Sequence, residues 1–333
     1  MSGIPLARCQ FLIPFADIHN EIGAPTATLL SRFRLPAFLE EKADHYVPLL
    51  PVLQFVQAAQ RSQGLTDFGF LASQRLQFCH LSGKLRASIG HSPTLFTALQ
   101  QLCKWAPLED TKLQMWLARH DDHIRICSRL GGTEGLRHLE HSHWLQNVLS
   151  IHIVRQFVGP GWMPATIAFE ARYKPSRETK AFWPHTRFLS DQDASWIDVP
   201  VSLLSLPKLA NEHLPNPPED ESGPSGNDMI NSLRLMLPSY LDEGAPTVAE
   251  MADMAGMSLR SFQRKLSGAG LTYSDLLDRA RFEYAAKLLR STEAKIIDIA
   301  LSSGYADPSH FARAFRRISG VTPREFRETW SPR

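Results

Sequence analysis

The sequence predicts an α+β N-terminal domain followed by an all-α C-terminal domain in which a long helix joins two helix-turn-helix units. Three observations carry that prediction. Apolar residues recur at both helical and strand spacing before residue 206, but only at helical spacing after residue 229. Between the two, PKLANEHLPNPPEDESGPSGND (207–228) is crowded with Pro, Gly, Asn, Ser and acids and has no apolar period. The last hundred residues also contain an internal repeat. The expected organisation is therefore a domain over 1–206, a flexible linker over 207–228, and a second domain over 229–333.

Helices are expected in the N-terminal domain at Pro51 to Gln63, Thr94 to Lys104 and Leu136 to Phe157, where apolar residues return every three or four positions. Lys112 to Arg119 and His123 to Leu130 alternate like strands around His120, Asp121 and Asp122, which suits a hairpin, and Thr166 to Tyr173 is a further strand candidate. Helices leading into an antiparallel sheet would make this an α+β fold.

The composition is that of a globular chain: 333 residues, 43% hydrophobic and 21% charged, with a net charge of +2. No stretch approaches the ~18 uninterrupted apolar residues of a membrane span, and Met1 to Phe15 lacks the layout of a secretory signal, so no membrane association and a cytoplasmic location are expected. Cys9, Cys79, Cys103 and Cys127 form no C-x-x-C pair and read as reduced thiols, mostly buried. Charge divides unevenly. From Met229 onward there are 15 basic and 12 acidic residues, whereas the remainder has 21 and 22.

The repeat is specific in its physical content. In TVAEMADMAGMSLRSFQRKLSGAG (Thr247 to Gly270), Thr247 can cap a short helix with Val248, Met251, Ala252 and Ala255 on its apolar side, and Gly256 supplies the turn. Ser258 caps the next helix. There Phe262 and Leu266 face inward, leaving Arg260, Ser261, Gln263, Arg264 and Lys265 outside. In the second copy, Ile296, Ile299, Ala300 and Gly304 take the places of Val248, Met251, Ala252 and Gly256 at an offset of 48, and Phe311 and Phe315 form the inward pair at an offset of 49. Gly270-Leu271-Thr272 and Gly320-Val321-Thr322 then each introduce another helix, the second opened by Pro323. Between the copies an apolar stripe of Tyr273, Leu277, Ala280, Tyr284 and Leu288 predicts a connecting helix from Tyr273 to about Arg290, roughly 25 Å long at ~1.5 Å per residue.

Charge placement suggests what the repeat could hold. The first helix of each copy carries acids (Glu250, Asp253, Asp298). The second carries Arg260, Arg264 and Lys265 in one copy and Arg313, Arg316 and Arg317 in the other, with no acid within 258–269 or 308–320. Such a surface attracts phosphate, and Arg and Gln at helical spacing can read base edges in a major groove. A merely solvated basic face would explain neither the repeat nor the two turn glycines.

The segment DIALSSGYADPSHFARAFRRISGVTPREFR resembles the signature of the AraC/XylS family of bacterial transcription regulators, whose DNA-binding domain is a seven-helix double helix-turn-helix. The resemblance implies base contacts from Arg260, Ser261, Gln263 and Arg264 in the first reading helix and from Ser309, His310 and Arg313 in the second, with Arg316 and Arg317 on phosphates. Pro308 stands where the family often has a polar residue, and so starts the helix rather than contacting a base. LLPVLQFVQAAQ, TLFTALQQLCKWAPL, the hairpin and the His-rich helix are similar to the effector domain in the branch of the family related to regulators of amino-acid and amine catabolism, not to the jelly-roll of its sugar-responsive members. Double-stranded promoter DNA, a small-molecule effector, RNA polymerase and a second copy of the chain are then the implied partners. The implied role is that of an activator of a neighbouring metabolic operon.

His138, His141 and His143 lie close together, but three ligands so near in sequence cannot converge from one regular helix, so no metal is expected. No cofactor is expected either. Trp105, Trp116, Trp144 and Trp162 could line an effector pocket or pack in the core, and no effector-binding residue can be assigned. Similar DNA-binding units occur on alkylation-repair methyltransferases, which use a Pro-Cys-His-Arg cysteine. Phe78-Cys79-His80-Leu81 lacks the flanking Pro and Arg, and no G-x-S-x-G, H-E-x-x-H or P-loop pattern is present, so the chain is not expected to be an enzyme. A DNA-binding protein without an effector, its N-terminal domain serving oligomerisation alone, is the other alternative.

Overall fold

Alternation in residues 113–130 produces a hairpin in the computed structural model, which describes residues 3–132, 139–209 and 228–330. Along the chain run β1 (Leu6–Arg8), α1 (Ile13–Glu21), α2 (Thr26–Arg32), β2 (Tyr46–Pro48), α3 (Leu49–Gln63), α4 (Phe68–Ser73), α5 (Gly83–Gly90) and α6 (Leu95–Trp105). The hairpin β3 (Leu113–His120) and β4 (His123–Leu130) follows, then α7 (Glu140–Val158), β5 (Thr166–Ala168), α8 (Arg177–Phe182), β6 (Arg187–Leu189) and β7 (Ser195–Pro200). The remaining elements are all helical: α9 (Met229–Met236), α10 (Val248–Met254), α11 (Leu259–Gly268), α12 (Tyr273–Ser291), α13 (Ile296–Ser302), α14 (Pro308–Ser319) and α15 (Pro323–Trp330). Of the predicted linker, residues 210–227 lie outside the described residues.

The chain divides into two compact units. One comprises Pro5–Asp44 and the chain from Pro51 to residue 209; the other comprises residues 3–4, 45–50 and 228–330. The inclusion of residues 45–50 with the C-terminal helices is not visible in the sequence.

In the first unit the sheet order is β3-β4-β7-β5-β6. His120 pairs with His123 across a two-residue loop in which Asp121 takes φ 54°, the left-handed conformation that such tight hairpins demand. Ile126, Ile197 and Ile167 fall in register across three strands and are all buried. The expectation of a purely antiparallel sheet is corrected at one edge, where β5 and β6 run parallel. The strand expected over Thr166 to Tyr173 ends at Ala168, because Phe169 turns inward against Trp144 and Tyr173 reaches away to Asp67. Helix α7 lies against β4 and β7, with Trp144 and Phe157 almost wholly buried, and Asn147 Nδ2 donates to Ser195 Oγ of β7 at 3.0 Å. Gly69 permits α4 to meet α7: a Cβ there would stand 2.6 Å from the His141 Cα. A buried ion pair fixes the start of the chain, Arg8 donating to Glu109 at 2.7 Å and also to Asp44.

In the second unit the two repeats fold alike. Met251, Ala252, Phe262 and Leu266 are buried in the first, and Ile299, Ala300, Phe311 and Phe315 in the second. The second core also gathers Phe282, Phe326 and Tyr305 around Phe315 and Phe311. Helix α12 buries Leu276, Ala280, Ala285, Ala286 and Leu289, whereas Tyr273, Leu277, Tyr284 and Leu288 of the predicted stripe are only half-buried. The shift follows from packing on several fronts, since α12 meets α13, α14 and α15 as well as α9 and the turn at Leu237–Tyr240. A helix so enclosed needs more than one apolar stripe.

Candidate nucleic-acid interface

The reading surface of the first repeat is set by α11, whose N-terminus is closed by Ser258. Its Oγ accepts from the Ser261 N–H at 3.3 Å and donates to Ser261 Oγ at 3.0 Å. Ser261 is thereby half-buried and engaged in the cap, while Arg260, Gln263 and Arg264 are exposed. Lys265 is half-buried, with its amine 3.8 Å from Met257 Sδ. Thr247 and Glu250 form a capping box that fixes α10, and Gly256 at φ +65° carries the turn between the two helices.

In the second repeat α14 starts at Pro308, as expected. The cap is Asp307, whose carboxylate accepts from the Ser309 and His310 N–H groups at 3.0 Å each. Those hydrogen bonds, with nearby Arg313, hold Asp307 below the usual carboxylate range. Ser309, His310, Arg313, Arg316 and Arg317 are all exposed. His310 leans on Tyr305 at 5.6 Å, and Arg317 donates to Asp278 of α12 at 2.8 Å. Arg260, Arg264, Arg313 and Arg316 form no ion pair among the described residues. The Asp307 cap escapes the sequence reading, which places only Pro308 at the helix start, although the Asp-Pro pair is its signal. The Asp278 partner, 39 residues from Arg317, has no such local signal.

Of the histidines, His138 lies outside the described residues. His141 is buried on α7 with Nε2 3.0 Å from Gln60 Oε1. His143 is fully buried against Phe169, and burial pushes its pKa down to about 4. Its ring is therefore neutral in the fold, whereas an unfolded His titrates at ~6.5. Between those values the unfolded chain binds the extra proton, so the stability due to this group is intact above pH ~6.5 and falls as the pH drops toward 4. Comparing wild type with His143→Leu by urea denaturation across that range should show the difference moving in the variant's favour by up to about 3 kcal/mol. A difference that does not change with pH would contradict the assignment.

The four tryptophans considered as pocket residues separate. Trp144 borders a cavity of about 680 Å³, described below, whereas Trp105 carries Lys84 over its ring at 4.1 Å, Trp116 on β3 is 36% exposed, and the Trp162 carbonyl accepts from Arg155. Cys79 sits exposed on the short turn Phe78–His80.

Two similarly built units, each offering one capped helix with basic side chains outward, define a DNA-binding protein of the double helix-turn-helix class. Comparison with known proteins agrees. Residues 251–329 match the family described as a helix-turn-helix domain, and residues 23–207 match the N-terminal arabinose-binding domain of the AraC transcription regulator. The ornithine utilization regulator of Pseudomonas aeruginosa is 39% identical over 98% of this chain and 96% of its own length. The transcriptional regulator VirS of Mycobacterium tuberculosis is 23% identical over 97% of this chain and 96% of its own. The activator RhaS of Escherichia fergusonii is 38% identical over 100 residues, 30% of this chain and 36% of RhaS. The chain belongs to the AraC family of transcription regulators, with a DNA-binding C-terminal domain and an effector-binding N-terminal domain.

Proposed function

We propose that the chain is a cytoplasmic, non-enzymatic activator that binds promoter DNA as a homodimer, engages RNA polymerase, and switches a neighbouring metabolic operon in response to a small metabolite. The observation that carries this reading is the pair of reading helices, each apolar face buried in its own repeat while unpaired arginines stand outward. The relatives support the regulatory role. One is named for ornithine utilization and another is an activator, which favours an amino-acid-related effector and activation. No helix among the described residues is long and apolar enough to cross a membrane.

Arg260, Gln263 and Arg264, with Ser261 at the cap, are the proposed base readers of the first repeat; Ser309, His310 and Arg313 are those of the second. Arg316 and Arg317 are proposed phosphate contacts. Arg317 is the weaker, because phosphate must displace Asp278 from it. The proposed domain boundaries remain 1–206, 207–228 and 229–333.

Mobility-shift titration with the promoter beside the gene should show specific, salt-sensitive binding. Arg264→Ala and Arg313→Ala should each weaken it by roughly 1–3 kcal/mol. Unchanged affinity in both would defeat the assignment.

A further inference from the structure

The cavity of about 680 Å³ in the N-terminal unit is walled by groups of opposite charge on different elements. One wall is a single segment of chain bearing Arg172, Lys174, Arg177 and Lys180, all exposed, none with an ion-pair partner among the described residues. The lining also takes in Gln60 from the end of α3 and Glu140 and His141 from the start of α7; the Glu140 side chain is 13% exposed, with its carboxylate 3.9 Å from His141 Nε2. Trp144 and Tyr173 also line the cavity, with their rings 5.9 Å apart and nearly perpendicular.

The remaining acid in the cavity, Asp67, is fully engaged. It accepts from the Tyr173 hydroxyl at 2.6 Å, the Ser176 N–H at 2.8 Å and the Thr179 hydroxyl, and these bonds hold its pKa down against the effect of burial. Asp67 therefore fastens the basic segment in place through three donors. Four cations held on one wall without partners favour an anion, and carboxylate is the anion whose planar fork matches arginine. A largely shielded carboxylate in the same lining, with an amide and an imidazole, favours a donor such as ammonium. The volume lies within the ~300–1,000 Å³ of small-molecule sites.

We propose that this cavity is the effector site and that its ligand is a small zwitterion of the amino-acid class. The ligand's carboxylate lies on the Arg172–Lys180 wall, its ammonium lies toward Glu140, and its aliphatic stem lies against Trp144 and Tyr173. The proposal rests on the effector-responsive reading above and adds the place and chemistry of recognition.

The test is calorimetric titration of the full-length protein with L-ornithine, L-arginine, putrescine, valerate and L-arabinose. At least one amino acid should bind, and it should bind more tightly than putrescine, which lacks the carboxylate, and than valerate, which lacks the amine. Arg172→Glu/Arg177→Glu, a double change at exposed positions, should weaken that binding by about tenfold or more. The variant's circular dichroism and unfolding midpoint should match wild type. If an amino acid binds the charge-reversed protein as tightly as wild type, the effector sits elsewhere; the site is then refuted and the sensor reading stands. If L-arabinose or putrescine binds and no amino acid does, the ligand class is refuted and the sensor reading again stands. If none of the five binds, the amino-acid ligand class is refuted.

Discussion

Gly304→Ala should cost the DNA-binding unit about 3 kcal/mol or more, whereas the corresponding change in the other repeat, Gly256→Ala, should cost about 1 kcal/mol. Both glycines turn the chain between the two helices of a repeat, at φ +77° and +65°. An alanine at either position meets the left-handed penalty. Only Gly304 also faces backbone: a Cβ there would stand 2.4 Å from the Leu241 carbonyl oxygen, whereas nothing lies within 4 Å of a Cβ on Gly256. A carbonyl anchored at the end of the Leu237–Tyr240 turn, with the side chain of Leu241 itself wholly buried, cannot retreat as a flexible side chain would. The check is urea denaturation followed by far-ultraviolet circular dichroism, with promoter binding measured alongside. Six of the seven tryptophans lie in the other unit, so tryptophan fluorescence reports on that unit separately. Equal small losses in the two variants would contradict the close approach.

Asp67→Ala should destabilise the N-terminal unit by about 2–4 kcal/mol, since it strands three donors that a carboxylate now satisfies. It also places alanine at φ 52°, a conformation that Asp and Asn tolerate better. Asp67→Asn keeps the shape and the backbone tolerance, loses the charge, and should fall between the two. Because bonding holds this acid low, the stability it contributes is present above pH ~4 and is lost as the pH falls below that value. Urea unfolding followed by tryptophan fluorescence is the measurement, as Trp144 adjoins Tyr173. An alanine variant as stable as wild type would remove Asp67 as the fastening of the basic segment.

What could be read in advance follows the reach of the interactions. The helix-turn-helix repeat was legible because its determinants are local: Thr247 and Ser258 cap within three residues, Phe262 and Leu266 recur at four, and the turn glycines sit at fixed offsets. The His123–Leu130 strand was legible for the same reason. Strands β6 and β7 were not, because Arg187–Leu189 pairs in parallel with β5 and Ser195–Pro200 is covered on both faces, so neither has a simple alternation. The difference between Gly256 and Gly304 depends on Leu241, 63 residues before Gly304. The cavity depends on Asp67 meeting Tyr173 and Thr179 across 106 and 112 residues, a juxtaposition that no spacing rule contains.

The short stretch His45–Leu50 has a consequence for anyone who cuts this protein in two. Tyr46 gives its carbonyl to the Ser239 hydroxyl, and His45 lies edge-on to Tyr284 at 5.8 Å. A fragment beginning at the linker would carry every helix of the DNA-binding unit yet lack these contacts, leaving Ser239 and the flank of α12 bare. The chain passes from one unit to the other at residues 4–5, 44–45 and 50–51, and again between residues 209 and 228. Proteolysis within 207–228 would sever just one of those passages. A C-terminal fragment expressed alone would regain its missing edge only if the peptide 45–50 were supplied or spliced back.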